Sequence, residues 1–162
     1  MEEDIEIQII SSEGTKFNIS KKAAQRSRIL KGMIEDYPDE TSFPFNTIKS
    51  NILEKAKEYL MHYKDIEPDK IEIPLKSNNF KECVSDWDYQ FLGDDLDIIF
   101  DLLEAANYMD IKPLQELVSA YLGSNIRGIN SDKIFKDFEI EKLTENEKNE
   151  MINDKKYLEE NL

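Results

Sequence analysis

Very little in this 162-residue chain could do chemistry. There is one histidine, His62, and one cysteine, Cys83. A hydrolase needs a base beside a nucleophile and a third group to orient the base; His62 sits on an expected helix, far in sequence from Cys83, and nothing points to an orienting partner. Five glycines, with neither GxGxxG nor GxxxxGK[ST], leave no loop to cradle a phosphate. The sequence therefore offers no catalytic residue and calls for no cofactor. A single cysteine excludes an internal disulfide and any multi-cysteine zinc site, which fits a reducing compartment; cytoplasmic and nuclear localisation is the expectation. No apolar run approaches the roughly 20 residues that span a bilayer, and no basic segment followed by an apolar run opens the chain, so no membrane association is expected.

Positive charge is also scarce. Twenty-one bases face 35 acids, a formal net charge of −14, which disfavours nucleic acid and anionic membranes and favours a basic partner. The imbalance is local. Gly14 to Ile34 holds six bases and no acid, whereas Asp86 to Asp110 holds eight acids and no base. Such segments attract each other within a fold, form separate docking faces or, most commonly, are simply solvated.

The hydrophobic pattern describes a mixed chain. Ile5, Ile7 and Ile9 alternate with Glu6 and Gln8, and Phe17 and Ile19 alternate after a turn at Ser11–Gly14, predicting a β-hairpin. Ser20 and Ser27 are placed to cap two short helices, the second carrying Ile29, Leu30, Met33 and Ile34. Phe43, Phe45 and Ile48 around Pro44 read as an edge strand, since proline cannot donate to a ladder. Ser50 or Asn51 is expected to cap a helix with Ile52, Leu53, Ala56, Tyr59, Leu60 and Tyr63 spaced for one buried face, ending near His62. A loop follows over 64–70, then a short strand or extended segment over 71–75; 76–85 shows no period.

The most informative stretch runs from Asp86 to Arg127. Leu96, Ile99, Phe100, Leu103 and Ala106 recur at helical spacing, widened by Ile98 and Leu102, giving an apolar face broader than one core requires. Asp110 is the expected cap of a second helix, with Leu114, Leu117, Val118, Tyr121 and Leu122 on its buried face. A turn at 125–131 and a short helix over 132–138 should follow. The last 24 residues hold only seven large apolar side chains, too few to offset an ordering cost of roughly 1 to 2 kcal/mol per residue, so the tail is expected to order only against a partner.

Asp86, Asp88, Gln90, Asp94 and Asp97 occupy positions 1, 3, 5, 9 and 12 of an EF-hand loop. Phe91 stands where its sharp turn needs glycine, and Asp97 where a bidentate Glu is needed, so no metal site is expected. What remains is an interaction protein: no catalytic set, a helix pair with surplus apolar face, and a tail in need of cover.

Trp87-Asp88, Phe91-Leu92, Asp94, Phe100, the run Ala105-Ala106-Asn107-Tyr108-Met109-Asp110-Ile111-Lys112 and Asn125-Ile126-Arg127-Gly128 carry a strong resemblance. They resemble the S-phase kinase-associated (Skp-type) adaptors of Skp–cullin–F-box ubiquitin ligases, and the similarity extends from the IxIxxSSEG hairpin through the Ile52-Leu53 helix to Glu159-Glu160. The resemblance implies an α/β fold: a BTB/POZ domain over 1–126 that binds a cullin, followed by an all-helical C-terminal extension, 127–162, that completes an F-box-binding surface. It implies a non-catalytic adaptor with two partners, a cullin scaffold and F-box proteins, serving ubiquitin-dependent degradation. Asn107 and Tyr108, with Pro44 and Phe45, then face the cullin. Ile99, Phe100, Leu103, Ser119, Leu122, Ile126 and Tyr157 lie on the F-box side, which leaves open a weak homodimer of the free chain through the same apolar face. An elongin-C-like or other BTB module is the alternative, one that usually lacks a tail such as 127–162.

The chain also departs from that family. Tyr157 stands where the family carries a tryptophan, Ser85 near a usual proline, and the acidic insert after the third helix is short. Gly128-Ile129-Asn130-Ser131 lacks the proline that some protists hydroxylate and glycosylate, so that modification is expected to be absent.

Overall fold

In the computed structural model the described residues are 5–126 and Thr144. The helix expected over 132–138, the tail and Tyr157 lie outside them.

Strand β1 (Glu6–Ile10) pairs antiparallel with β2 (Lys16–Ser20), with Ile7 opposite Ile19 and Ile9 opposite Phe17. Gly14 makes their turn possible at φ 81°, a left-handed conformation open to glycine. Ile7, Ile9 and Ile19 are buried, whereas Ile5, expected on the same face, is exposed because it precedes the strand. Strand β3 (Ser42–Pro44) runs parallel to β1 on its other edge, giving the order β2-β1-β3 with proline at the end of an edge strand.

Helices α1 (Lys21–Ala24) and α2 (Arg28–Asp36) are capped as expected, the hydroxyls of Ser20 and Ser27 accepting from Ala23 and Leu30 amides. Helix α3 (Ser50–His62) ends as expected but is not capped from within. Lys49 is its N-cap residue, and the Ser50 hydroxyl bonds Ser11 Oγ at 2.8 Å and Thr15 Oγ1 at 2.9 Å. The helix start is served instead by Glu13, from the hairpin turn, whose carboxylate accepts the Ser50 N–H at 2.8 Å. The Ser50 hydroxyl beside it and this N–H hold the Glu13 carboxyl below its usual range.

No strand forms over 71–75, and a single 3₁₀ turn at Phe80–Glu82 buries Phe80. Helix α4 (Asp86–Leu92), which hydrophobic periodicity does not reveal, starts at Ser85, whose hydroxyl accepts the Asp88 N–H. It seats Phe91 against Tyr59 of α3, with ring centroids 5.6 Å apart. Asp86, Asp88 and Gln90, three of the EF-hand positions, are thus helical. Helices α5 (Leu96–Tyr108) and α6 (Lys112–Ile126) follow. The buried face of α6 includes the five residues expected. That of α5 is rotated from the expected stripe: Ile99, Leu102, Ala105 and Ala106 are buried, while Phe100 is 41% exposed. Two adjacent alanines present little bulk toward α3.

The basic segment is partly spent inside the fold. Lys22 pairs with Asp65 at 2.5 Å, and Arg26 with Glu67 at 2.6 Å while also donating to the Ile66 carbonyl, so they fasten the loop over 64–70.

Candidate partner-binding surface

The surface around Tyr108 is set by how α5 ends. Asp110, expected as a helix cap, lies in the turn before α6 at φ 49°. Its N–H bonds the Asn107 carbonyl and the Ile111 N–H reaches back to Ala106, the paired bonds of a Schellman motif with aspartate where glycine is usual. Two carbonyls of this turn then receive the start of α2: Met109 from the Ile29 N–H and Asp110 from the Arg28 N–H, with the Ser27 hydroxyl also donating to Met109 at 2.6 Å. The negative end of one helix thereby meets the positive end of another. The Arg28 guanidinium pairs with the Asp110 carboxylate at 3.5 Å.

Tyr108, so fixed, is 51% exposed and stands edge-on to Phe45, with centroids 6.2 Å apart at 79°. The structure therefore joins two expected cullin-side residues from distant parts of the chain. Phe45 is fully buried, a support for Tyr108 rather than a contact surface, and its N–H is tied to the Ile10 carbonyl at 2.7 Å. Pro44 is exposed at the end of β3, and exposed Asn107 accepts a hydrogen bond from the Gln115 amide at 3.0 Å. Beside Tyr108 lies a cleft of about 490 Å³, lined by Ile48, Ile52 and Ala105 and edged by Lys49 and Asp101, which pair at 3.0 Å. Asp101 holds the Lys49 ammonium above its ordinary range.

The opposite flank of α5 carries a second, open cleft of about 510 Å³ that brings together Phe100, Leu103 and Ser119 from the expected F-box side. Ile99 and Leu122 are buried, and Ile126 is exposed at the end of α6. Asp101, Glu104 and Asn107 edge both clefts, forming the ridge between them.

Sequence reasoning missed a polar network beneath α4. Asp88 is buried, and its carboxylate accepts from the Tyr63 hydroxyl at 2.8 and 2.9 Å and from the Ser85 hydroxyl at 2.8 Å. Burial and Asp88 together push the Tyr63 hydroxyl well above its usual pKa. His62 stacks on Trp87 at 3.6 Å with rings nearly parallel. The available signal was Ser85-Asp-Trp-Asp88, a Ser-x-x-acid helix start.

A three-stranded mixed sheet covered by helices, with an aromatic-bearing helix end exposed beside the edge strand, is the architecture of a POZ-type module. Residues 6–65 match the model of the Skp1 family, tetramerisation domain. The S-phase kinase-associated protein 1 homolog of Tetrahymena thermophila is 34% identical over 83% of this chain and 81% of its own length. Suppressor of kinetochore protein 1 of Schizosaccharomyces pombe is 31% identical over 83% and 84%, and the E3 ubiquitin ligase complex SCF subunit sconC of Arthroderma otae 29% over 83% and 82%. The chain belongs to the Skp1 family.

Proposed function

We propose that this chain is the non-catalytic adaptor subunit of an SCF-type E3 ubiquitin ligase, bridging a cullin scaffold to F-box substrate receptors, in the cytoplasm and nucleus. Family membership supports the assembly, and the observation that carries the bridging role is the two-sidedness of α5. One flank offers Tyr108, backed by Phe45 and flanked by Asn107 and Pro44; the other offers Phe100, Leu103 and Ser119. We assign the first, within a 1–126 domain, to the cullin. The second we assign to the F-box, completed by the 127–162 extension with Tyr157. Buried Ile99 and Leu122 shape that flank from beneath. In the free chain the Phe100 flank is also where a weak homodimer would form.

The test is to mix the purified protein with an F-box fragment and a cullin N-terminal domain, separately and together, and to measure complex mass by size-exclusion chromatography with light scattering. The expected result is a 1:1:1 complex. Tyr108→Ala should lose the cullin and keep the F-box, and deletion of 139–162 should do the reverse. Loss of both partners by either change, in a folded protein, would refute the two-surface assignment.

A further inference from the structure

The sheet has two outer edges, and only one of them is blunted. Strand β3 is three residues long and ends in Pro44, two devices that discourage further pairing. Strand β2, on the other edge, has five residues, no proline and an unbroken register with β1. Its outward backbone groups follow from the ladder. The Lys21 N–H bonds the Ile5 carbonyl and the Ser11 N–H the Thr15 carbonyl, so Ile7 with Ile19 and Ile9 with Phe17, in the same alternation, are the hydrogen-bonded pairs. Gln8 and Ile10 turn their backbones the other way, where the Gln8 N–H meets the Thr41 carbonyl and the Ile10 carbonyl meets the Phe45 N–H. Lys16 and Asn18, their partners on β2, therefore turn theirs to the open edge, and among the described residues nothing there bonds them.

The side chains along this edge are polar and basic on one face and apolar on the other. Lys16 and Asn18 are exposed, and the nearest strand acid, Glu6, is engaged by the Asn18 amide at 3.3 Å. Phe17 is half-buried on the core face, with the Lys57 ammonium of α3 lying 5.8 Å from its ring centroid. Lys21 directly follows the strand. Lys22, Arg26, Arg28 and Lys31 each pair with an acid, whereas Lys16, Lys21 and Lys57 have no ion-pair partner among the described residues. Three unpaired ammonium groups thus accompany an unpaired ladder, in a chain whose net charge is −14. Charges more than about 8 Å away are largely screened at physiological ionic strength, so the local lysines govern what approaches the edge. They also disfavour a second copy of the chain as occupant, since edge-to-edge pairing would bring two basic strands together.

We infer that the β2 edge takes up an extended acidic segment of another protein as a fourth strand. The main chain of such a segment exchanges hydrogen bonds with Lys16 and Asn18, which supplies affinity without regard to sequence. Its carboxylates meet Lys16, Lys21 and Lys57, and an apolar residue at alternate positions covers the open side of Phe17, so the segment alternates acidic and β-branched residues. The edge includes none of the residues assigned above to the cullin or the F-box.

The probe is the peptide acetyl-Gly-Glu-Val-Glu-Val-Glu-Gly-amide, added to the full-length protein while hydrogen exchange of individual amides is followed by NMR. Binding should saturate and slow exchange at Lys16 and Asn18 by about tenfold, with the amides of Phe17 and Ile19, already bonded to β1, as the internal reference. The same peptide methylated at every Glu and Val nitrogen keeps its charge but loses its ladder donors, and should bind at least about tenfold more weakly. Its counterpart with Lys in place of Glu should not bind. Lys16→Glu combined with Lys21→Glu should weaken binding by about tenfold, and Lys57→Ala, on a separate element, should weaken it in a protein whose melting temperature is unchanged. The proposal is overturned by unaltered exchange at Lys16 and Asn18, by equal binding of the methylated or the basic peptide, or by undiminished binding in the charge-reversed protein. Protection of Lys16 and Asn18 that grows with protein concentration in the absence of peptide would also overturn it, marking the edge as a contact between two copies.

Discussion

The Ser27 hydroxyl spans 82 residues of sequence to donate to the Met109 carbonyl at 2.6 Å, while accepting the Leu30 N–H at 3.1 Å. One fully buried oxygen thus starts α2 and ends α5. Ser27→Ala removes a helix cap and leaves a buried acceptor short of a donor, and should cost about 2 kcal/mol, read as a lower urea midpoint at unchanged slope. A loss below about 0.5 kcal/mol would mean that neither bond matters to stability.

Phe45 and Tyr108 touch, yet their truncations should separate cleanly. Phe45→Ala opens a hole in the core and should cost about 3 to 5 kcal/mol. Tyr108→Ala removes a half-exposed ring and should cost about 1 kcal/mol, the scale of one aromatic pair, while abolishing cullin binding. Thermal melts beside cullin titrations of the two variants check this; equal destabilisation would show that Tyr108 belongs to the core.

Gly93 ends α4 at φ 72° and ψ −165°, a conformation close to glycine-only, yet a Cβ built there meets nothing within 4 Å. Gly93→Ala should therefore destabilise by about 1 to 3 kcal/mol through the backbone alone. A neutral result in chemical denaturation would show that the α4–α5 junction adjusts freely.

Alkaline pH should unfold the protein sooner than neutral pH suggests. Tyr59 and Tyr63 hold their protons in the fold beyond the ordinary range, Tyr59 chiefly through burial, then Asp88. Because the unfolded tyrosines ionise near pH 10 and the folded ones do not, stability is full below that pH and falls as pH rises above it. Lys55, whose ammonium is pushed down by burial, acts in the opposite sense over part of the same interval. Two tyrosines outweigh it, so the expected profile is flat from pH 7 to about 9 and declining above about 10; Tyr59→Phe should shallow the decline.

Much of the fold was legible because its signals act between chain neighbours. Ser20 and Ser27 cap the helices that begin beside them, and the period of Leu114, Leu117, Val118, Tyr121 and Leu122 needs no knowledge of the rest. The misreadings occur where distant groups intervene. Ser50 looks like a cap, but the hairpin recruits its hydroxyl and supplies Glu13 in exchange. Asp110 has the composition of an N-cap but adopts a left-handed turn that closes the preceding helix. On α5, Phe100 and Leu102 are equally apolar letters, and only the packing of Ala105 and Ala106 decides which faces inward. Of the site, Tyr108 beside Phe45 came from family resemblance; periodicity says nothing about a pair 63 positions apart.

The closure of α2 upon the turn after α5 also orders events during synthesis. The hairpin, Pro44 and Phe45 leave the ribosome long before Met109 and Asp110, and until those two emerge the Arg28 and Ile29 amides lack their acceptors. Tyr108 itself arrives with the last of these parts, at a pace of roughly 5 to 20 residues per second. A nascent or truncated chain ending before Asp110 therefore carries an exposed core and no finished docking face.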